Sequence, residues 1–212
     1  MLFDHICNIT SVTCQWRWTL PPKPRFTADV VLQATLNVVR RSGLAAVSAR
    51  TVAKELGAST APVIAAFSSM TALQDAALDR IVQLLLQAVD DDTQATQHDV
   101  DVADPLLHAA FGFVRFTADE PRFYEALFLH PHATPPDWVE LRRAFSRGLG
   151  RAPRYQGLAP RQMDALAWRA SVVTHGICIE VWSGRWTRTD DRALQRLVDD
   201  LVDPVIAAHL RA

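Results

Sequence analysis

Cysteine is scarce: Cys7, Cys14 and Cys178 are the three in 212 residues, an odd and widely spaced set that excludes a framework of disulfide bridges and fits a reducing compartment. Reactive motifs are missing as well. There is no Gly-rich phosphate loop, no G-x-S-x-G elbow, and no Cys, His or carboxylate set whose spacing pairs a nucleophile with its base. An enzyme is therefore not expected, and no cofactor is implied. The first twenty residues carry Asp4 and His5 early and lack both a basic stretch and a long apolar core, so they do not read as a secretory leader. A cytoplasmic protein with no membrane partner is expected. Strand signals are absent too, since helix signals follow one another along the chain without a credible strand pair.

What is present suits a globular chain of one or two domains. Apolar residues make up 49% of it, enough to bury a sizeable core. The net charge of −1 conceals an asymmetry, because residues 1–70 sum to +4 and the remainder to −5. A basic head on an acidic body is what a DNA-facing module joined to a regulatory module would carry.

Gly43 to Leu73 spells two short helices joined by a tight turn, after a longer amphipathic helix with Val31, Leu32, Leu36 and Val39 as its apolar stripe. The first short helix starts at Ser48, a capping residue, and stops at Gly57, which tolerates the left-handed conformation that ends helices; Val52, Ala53 and Leu56 form its apolar face. The second is expected to take Ser59 as N-cap, with Pro62 in its first turn and Val63 and Phe67 packing inward. Thr60, Ala61, Ile64 and Ala65 then point outward. This is the layout of a helix-turn-helix, in which the start of the second helix meets base edges in the major groove.

Arg25 to Leu73 resembles the N-terminal domain of TetR-type bacterial regulators, whose pattern T-x-x-x-I-A-x-x-x-G-[VI]-S-x-x-x-[LIV]-Y-x-x-F-x-[SN]-K-x-x-L is matched here by Ser48, Val52, Ala53, Gly57, Ala58, Ser59, Val63, Ile64, Phe67, Ser69, Met70 and Leu73. FTADEPRFYEALF at 116–128 and AWRASVVTHGICIEVWSGRW at 167–186 are similar to the ligand-binding half of one TetR subgroup marked by Trp, His and Gly, here Trp168, His175 and Gly176. The resemblance implies a homodimer whose last two helices form a four-helix interface. It also implies double-stranded operator DNA with inverted repeats as one partner, and an apolar small molecule as effector.

The departures bear on DNA. Where the family usually carries Tyr, Tyr or His, and often Lys, this chain has Ile64, Ala66 and Met70, and no Lys or Arg stands between Glu55 and Asp79. The cations left are Lys23 and Arg25 in a Pro-rich arm suited to a minor groove, Arg40 and Arg41 ending the first helix, and Arg50 and Lys54 in the second. The expected DNA contacts are therefore Lys23, Arg25, Ser48, Arg50, Lys54, Ser59, Thr60, Ala61 and Ile64.

Residues 1–22 have no helix cap and no clear period and are expected to be a poorly ordered extension, Trp16 and Trp18 included. Residues 23–70 form the helix-turn-helix domain and 71–212 a helical domain for ligand binding and dimerisation, about nine helices in all. The fourth helix is expected over Thr71 to Val89, linking the two, with a solvated Asp-rich loop from Asp90 to Asp104. Asp104 before Pro105 and Glu120 before Pro121 open the next two helices. Loops follow at His130 to Pro136 and Gly150 to Leu158. Of the two closing helices, Ala165 to Trp182 is apolar on nearly every face, and Asp190 to Leu210 carries Leu194, Leu197, Val198, Leu201, Val205 and Ile206 as a stripe, with Pro204 expected to bend it. Arg169 and Glu180 are placed to pair across the dimer.

Phe111, Phe123, Tyr124, Trp168 and His175 are the candidate ligand contacts, with Phe116 and Phe128 as further rings; ordinary core packing accounts for the same residues. His175, one polar ring on an apolar helix, is either a hydrogen-bonded core histidine or a ligand contact. His130 and His132 flank Pro131 without a third ligand at metal spacing and read as loop residues. Two readings stand. One is a ligand-responsive DNA-binding regulator, a repressor; the other is a TetR-shaped dimer that has lost operator binding and serves as a small-molecule or protein-interaction module.

Overall fold

The computed structural model describes residues 26–95, 104–131, 146 and 149–211, and those residues form eight α-helices and no strand. The fold is all-α, as expected. Lys23, Arg25, Cys7, Cys14, Trp16, Trp18, His132 and the extension at 1–22 lie outside the described residues, as do 96–103 of the Asp-rich loop.

Helix α1 (Ala28–Ser42) begins where the Thr27 hydroxyl accepts from the Val30 amide and ends at Gly43, with Arg40 and Arg41 in the last turn, where cations suit the helix dipole. Val31, Leu36 and Val39 are buried and Leu32 is half-buried. A 3₁₀ turn (Leu44–Ala46) leads to α2 (Ala49–Leu56). There Ser48 and Thr51 cap each other reciprocally, and Gly57 takes φ of 62°, a left-handed conformation that L side chains resist. Helix α3 (Ala61–Ala66) opens one residue later than the spacing suggested. Its N-cap is Thr60, not Ser59, and Thr60 acts through its carbonyl, which accepts from the Ile64 amide at 3.1 Å, while no side chain caps the end. Val63 is buried, whereas Phe67 is only half-buried because the helix has already ended there.

Helix α4 (Met70–Ala95) buries Leu73, Ala77, Leu78, Ile81, Leu85 and Val89. It does not stop at Val89. No Gly or Pro stands between Val89 and Ala95, so nothing breaks the helix where charge alone suggested a loop. Helix α5 (Pro105–Asp119) starts at Asp104, whose Oδ1 accepts from the Leu106 and Leu107 amides, and it packs against both α4 and the two closing helices. After Glu120 comes α6 (Pro121–Phe128), eight residues long, lying against α1 and α5.

The segment expected as a loop at 150–158 holds two 3₁₀ turns, Leu149–Arg151 and Pro153–Tyr155. Tyr155 is fully buried there, its hydroxyl donating to the Asp104 carboxylate at 2.6 Å, while Arg154 bridges Asp104 and Asp203. Helix α7 (Pro160–Trp182) starts five residues earlier than expected and α8 (Asp191–Leu210) starts after the Asp190 cap. Buried Leu194, Val198, Val202 and Ile206 recur every four residues along α8; Leu201, expected among them, is 46% exposed because it lies one position off that row.

Candidate functional site

The segment of α2 and α3 presents one polar rim and one apolar face. Buried Val63 anchors α3 to the bundle, which leaves Thr60, Ala61, Ile64 and Ala65 exposed on the opposite side, with Ile64 at 66%. Ser59 is exposed as well. Arg50 and Lys54 stand exposed on α2 one helical turn apart and so share a face, while the Ser48 hydroxyl is occupied in capping Thr51. Arg40 and Arg41, counted among the available cations, are otherwise engaged. Arg41 pairs with Glu55, whose carboxylate also accepts from Asn37, and these two hydrogen bonds hold Glu55 below its usual range.

Arg40 reaches from α1 to α6. Its guanidinium donates to both Glu120 oxygens at 2.8 to 3.0 Å and lies 4.8 Å from the centre of the Phe123 ring. Glu120, expected to open α6 as a cap, makes no side-chain bond to its own helix. The pair therefore ties the end of α1 to the start of α6 across 80 residues of sequence.

Where α5, α6 and α7 meet, four rings of the described residues converge. Phe113 from α5, Tyr124 and Phe128 from α6, and His175 from α7 lie with centroids 4.6 to 6.2 Å apart, distances typical of packed aromatic pairs. Burial lowers the affinity of His175 for a proton. Below them Cys178 is fully buried, its thiol pushed up to about 12 by desolvation, with Sγ 4.0 Å from the Phe113 carbonyl oxygen.

Of the residues named as candidate ligand contacts, Tyr124 and His175 meet in this cluster and the others do not. Phe123 is buried beneath Arg40, Phe111 lies under Arg115 with 5.7 Å between guanidinium and ring centre, and Trp168 is 54% exposed on the outer side of α7. Phe113 was not singled out from sequence. The signal was the row Ala109, Ala110, Phe113, Val114, Thr117, all buried, which marks the inward face of α5 and leaves Phe111 off it.

Trp168 and Val172, 54% and 51% exposed, share their face of α7 with Gly176, where a Cβ would meet nothing within 4 Å. Leu201 stands exposed on α8, which packs beside α7. Within the chain, Arg169 meets His209 at 2.9 Å, and Glu180 pairs with Arg185 at 2.6 Å. Among the described residues no group of acidic, His or Cys side chains is arranged to hold a metal, and no helix is long and apolar enough to cross a membrane.

No protein-family model matches the chain, nor does any curated protein. Among solved structures, the crystal structure of a proposed transcriptional regulator from Pseudomonas aeruginosa PAO1 is similar, with a TM-score of 0.62 and 16% identity over 87% of this chain and 92% of that one. The two share a fold.

Proposed function

We propose that the chain is a ligand-responsive transcriptional regulator of TetR type, a repressor that acts in the cytoplasm as a homodimer on an inverted-repeat operator. Residues 23–70 serve as the DNA-reading domain and 71–212 as the domain for effector and partner subunit. The observation that carries this reading is the exposed face of α3, held out from the bundle by buried Val63 and by the capped, Gly57-terminated α2. Thr60, Ala61 and Ile64 would meet base edges, where Ala61 and Ile64 suit thymine methyls, and Arg50 and Lys54 would take phosphates, joined by Lys23 and Arg25 from the arm. Effector binding in the body would shift the spacing of two such heads through α4 and through the Arg40–Glu120 tie, provided that the effector favours the non-binding state. Fluorescence anisotropy against DNA from upstream of the gene, beside a scrambled duplex and at two salt concentrations, tests the reading. Tighter, salt-sensitive binding to the native fragment supports it, with a slope of about 0.9 per phosphate neutralised; equal weak binding to both duplexes removes it.

A second reading, a dimeric small-molecule or protein-interaction module, is favoured by the apolar face of α3 and by the engagement of Arg40 and Arg41 in ion pairs. The double substitution Ile64→Tyr, Met70→Lys separates the two. A regulator docked in the usual pose gains DNA affinity, by about one unit of salt slope for the added lysine, whereas a module that has abandoned DNA gains nothing at any salt.

A further inference from the structure

Among the described residues, α2 and α3 pack against each other and against α1, and their contacts with α4 to α8 are slight. Apart from α1, what joins them to the rest is the stretch from Phe67 to Ser69, which leads from the end of α3 into α4. Helix α1 in turn packs against both α6 and α4, and α6 packs against α4. Two routes therefore lead from α6 to α2 and α3, one directly through α1 and one through α4 and that connecting stretch.

The last turn of α1 is built for the first route. Arg40 and Arg41 are neighbours in the chain, so they leave the helix about 100° apart and reach different partners. Arg40 donates to both oxygens of Glu120 at the start of α6, a forked bond that fixes the carboxylate in direction as well as distance. Arg41 donates to one oxygen of Glu55 near the end of α2, and Asn37, one turn earlier on the same side of α1, donates to the other at 3.1 Å. A carboxylate gripped from two positions a turn apart cannot slide along α1 or swing round it without losing a bond. Between these grips α1 has neither Gly nor Pro in its interior, and it is capped by Thr27 at its start. One rigid turn thus holds α6 on one side and α2 on the other.

We propose that the last turn of α1 is the joint by which the position of α6 sets the orientation of α2 and α3, with Arg40 and Arg41 as its positioning residues. Arg40 takes up a movement of α6 through Glu120, and Arg41 with Asn37 passes it to α2 through Glu55. The inference builds on the regulator reading above by naming the route between its two halves.

Hydrogen exchange read by mass spectrometry tests this on the full chain without DNA, in the wild type, Glu120→Gln, Glu55→Gln and the double variant. Glu120→Gln is changed on α6, yet exchange across α2 should quicken about two- to fivefold, the scale set by a solvent-screened ion pair. Glu55→Gln should quicken α2 as well. The double variant should be no faster in α2 than Glu55→Gln alone, because that substitution has already cut the route. The core of α5 should keep its protection in all four proteins. Unchanged exchange of α2 in Glu120→Gln overturns the proposal. So do effects that multiply in the double variant, which would put the route through α4, and an equal quickening of α5, which would mean a mere loss of global stability. The regulator reading is judged separately by DNA binding: a chain that ignores DNA but shows the non-additive exchange keeps the joint and loses that reading, and multiplying effects in a chain that binds its operator do the reverse.

Discussion

At the scale of single residues, two positions have consequences that follow from conformation and desolvation alone. Gly57 sits at φ of 62° with open space where a Cβ would be, so Gly57→Ala meets no clash and pays only the left-handed backbone penalty. We expect a loss of about 1 kcal/mol, read as a lower urea midpoint with unchanged slope, and a smaller loss for Gly57→Asn. His175 carries the pH dependence. Its folded pKa is depressed by burial among uncharged rings, so the unfolded chain binds the proton more readily. Stability from this group is therefore fully present above its ordinary value of 6.5 and is lost as the pH falls below it. Chemical denaturation at a series of pH values from 7.5 down to about 5 should show that decline in the wild-type chain and a flatter profile in His175→Asn.

At the scale of elements, the short helix α6 is placed to connect two regions. Its first turns hold Arg40 through Glu120 and Phe123, and its other side supplies Tyr124 and Phe128 to the ring cluster. Glu120→Gln keeps the shape of the side chain and removes the charge. Because Arg40 and Glu120 are 45% and 23% exposed, solvent screens the pair and the global cost should stay below about 1 kcal/mol. Local opening should change more than global stability does. Hydrogen exchange in the last turn of α1 should quicken in the variant while the core of α5 keeps its protection; unchanged exchange in α1 would mean that the tie does not hold the head.

At the scale of the whole molecule, the outer faces of α7 and α8 leave Trp168, Val172 and Leu201 in water, an arrangement that a second subunit would cover. A stable interface buries about 1,200 to 2,000 Å² in total, and two adjacent helices of 23 and 20 residues offer a surface of that order. Sedimentation equilibrium should find the wild-type chain dimeric and the double variant Trp168→Asp, Leu201→Asp monomeric with its helical content retained. A variant that remains dimeric would move the interface elsewhere. Loss of the dimer should also weaken operator binding, since each head alone makes half of the phosphate contacts.

The features legible in the residue order are those settled within one helical turn. Ser48, Gly57, Asp104 and Asp190 were readable as helix limits because the signals that start and stop a helix lie within a turn of its ends, although the return bond from Thr51 to Ser48 was not read. The apolar rows of α1 and α4 were readable because burial there repeats at the helical period. Where local signals competed, they misled: charge at Asp90 suggested a stop that the backbone had no reason to make, and a row offset by one residue placed Leu201 in the core. Only the tertiary structure decided which side chains answer one another over distance. It gave Arg40 to Glu120 and Phe123, closed Asp104, Arg154, Tyr155 and Asp203 into one polar group, and chose Phe113 over Phe111 as the ring that meets Tyr124 and His175. These partners stand 49 to 80 residues apart in the polar cases, where helix packing and not local propensity sets the distance.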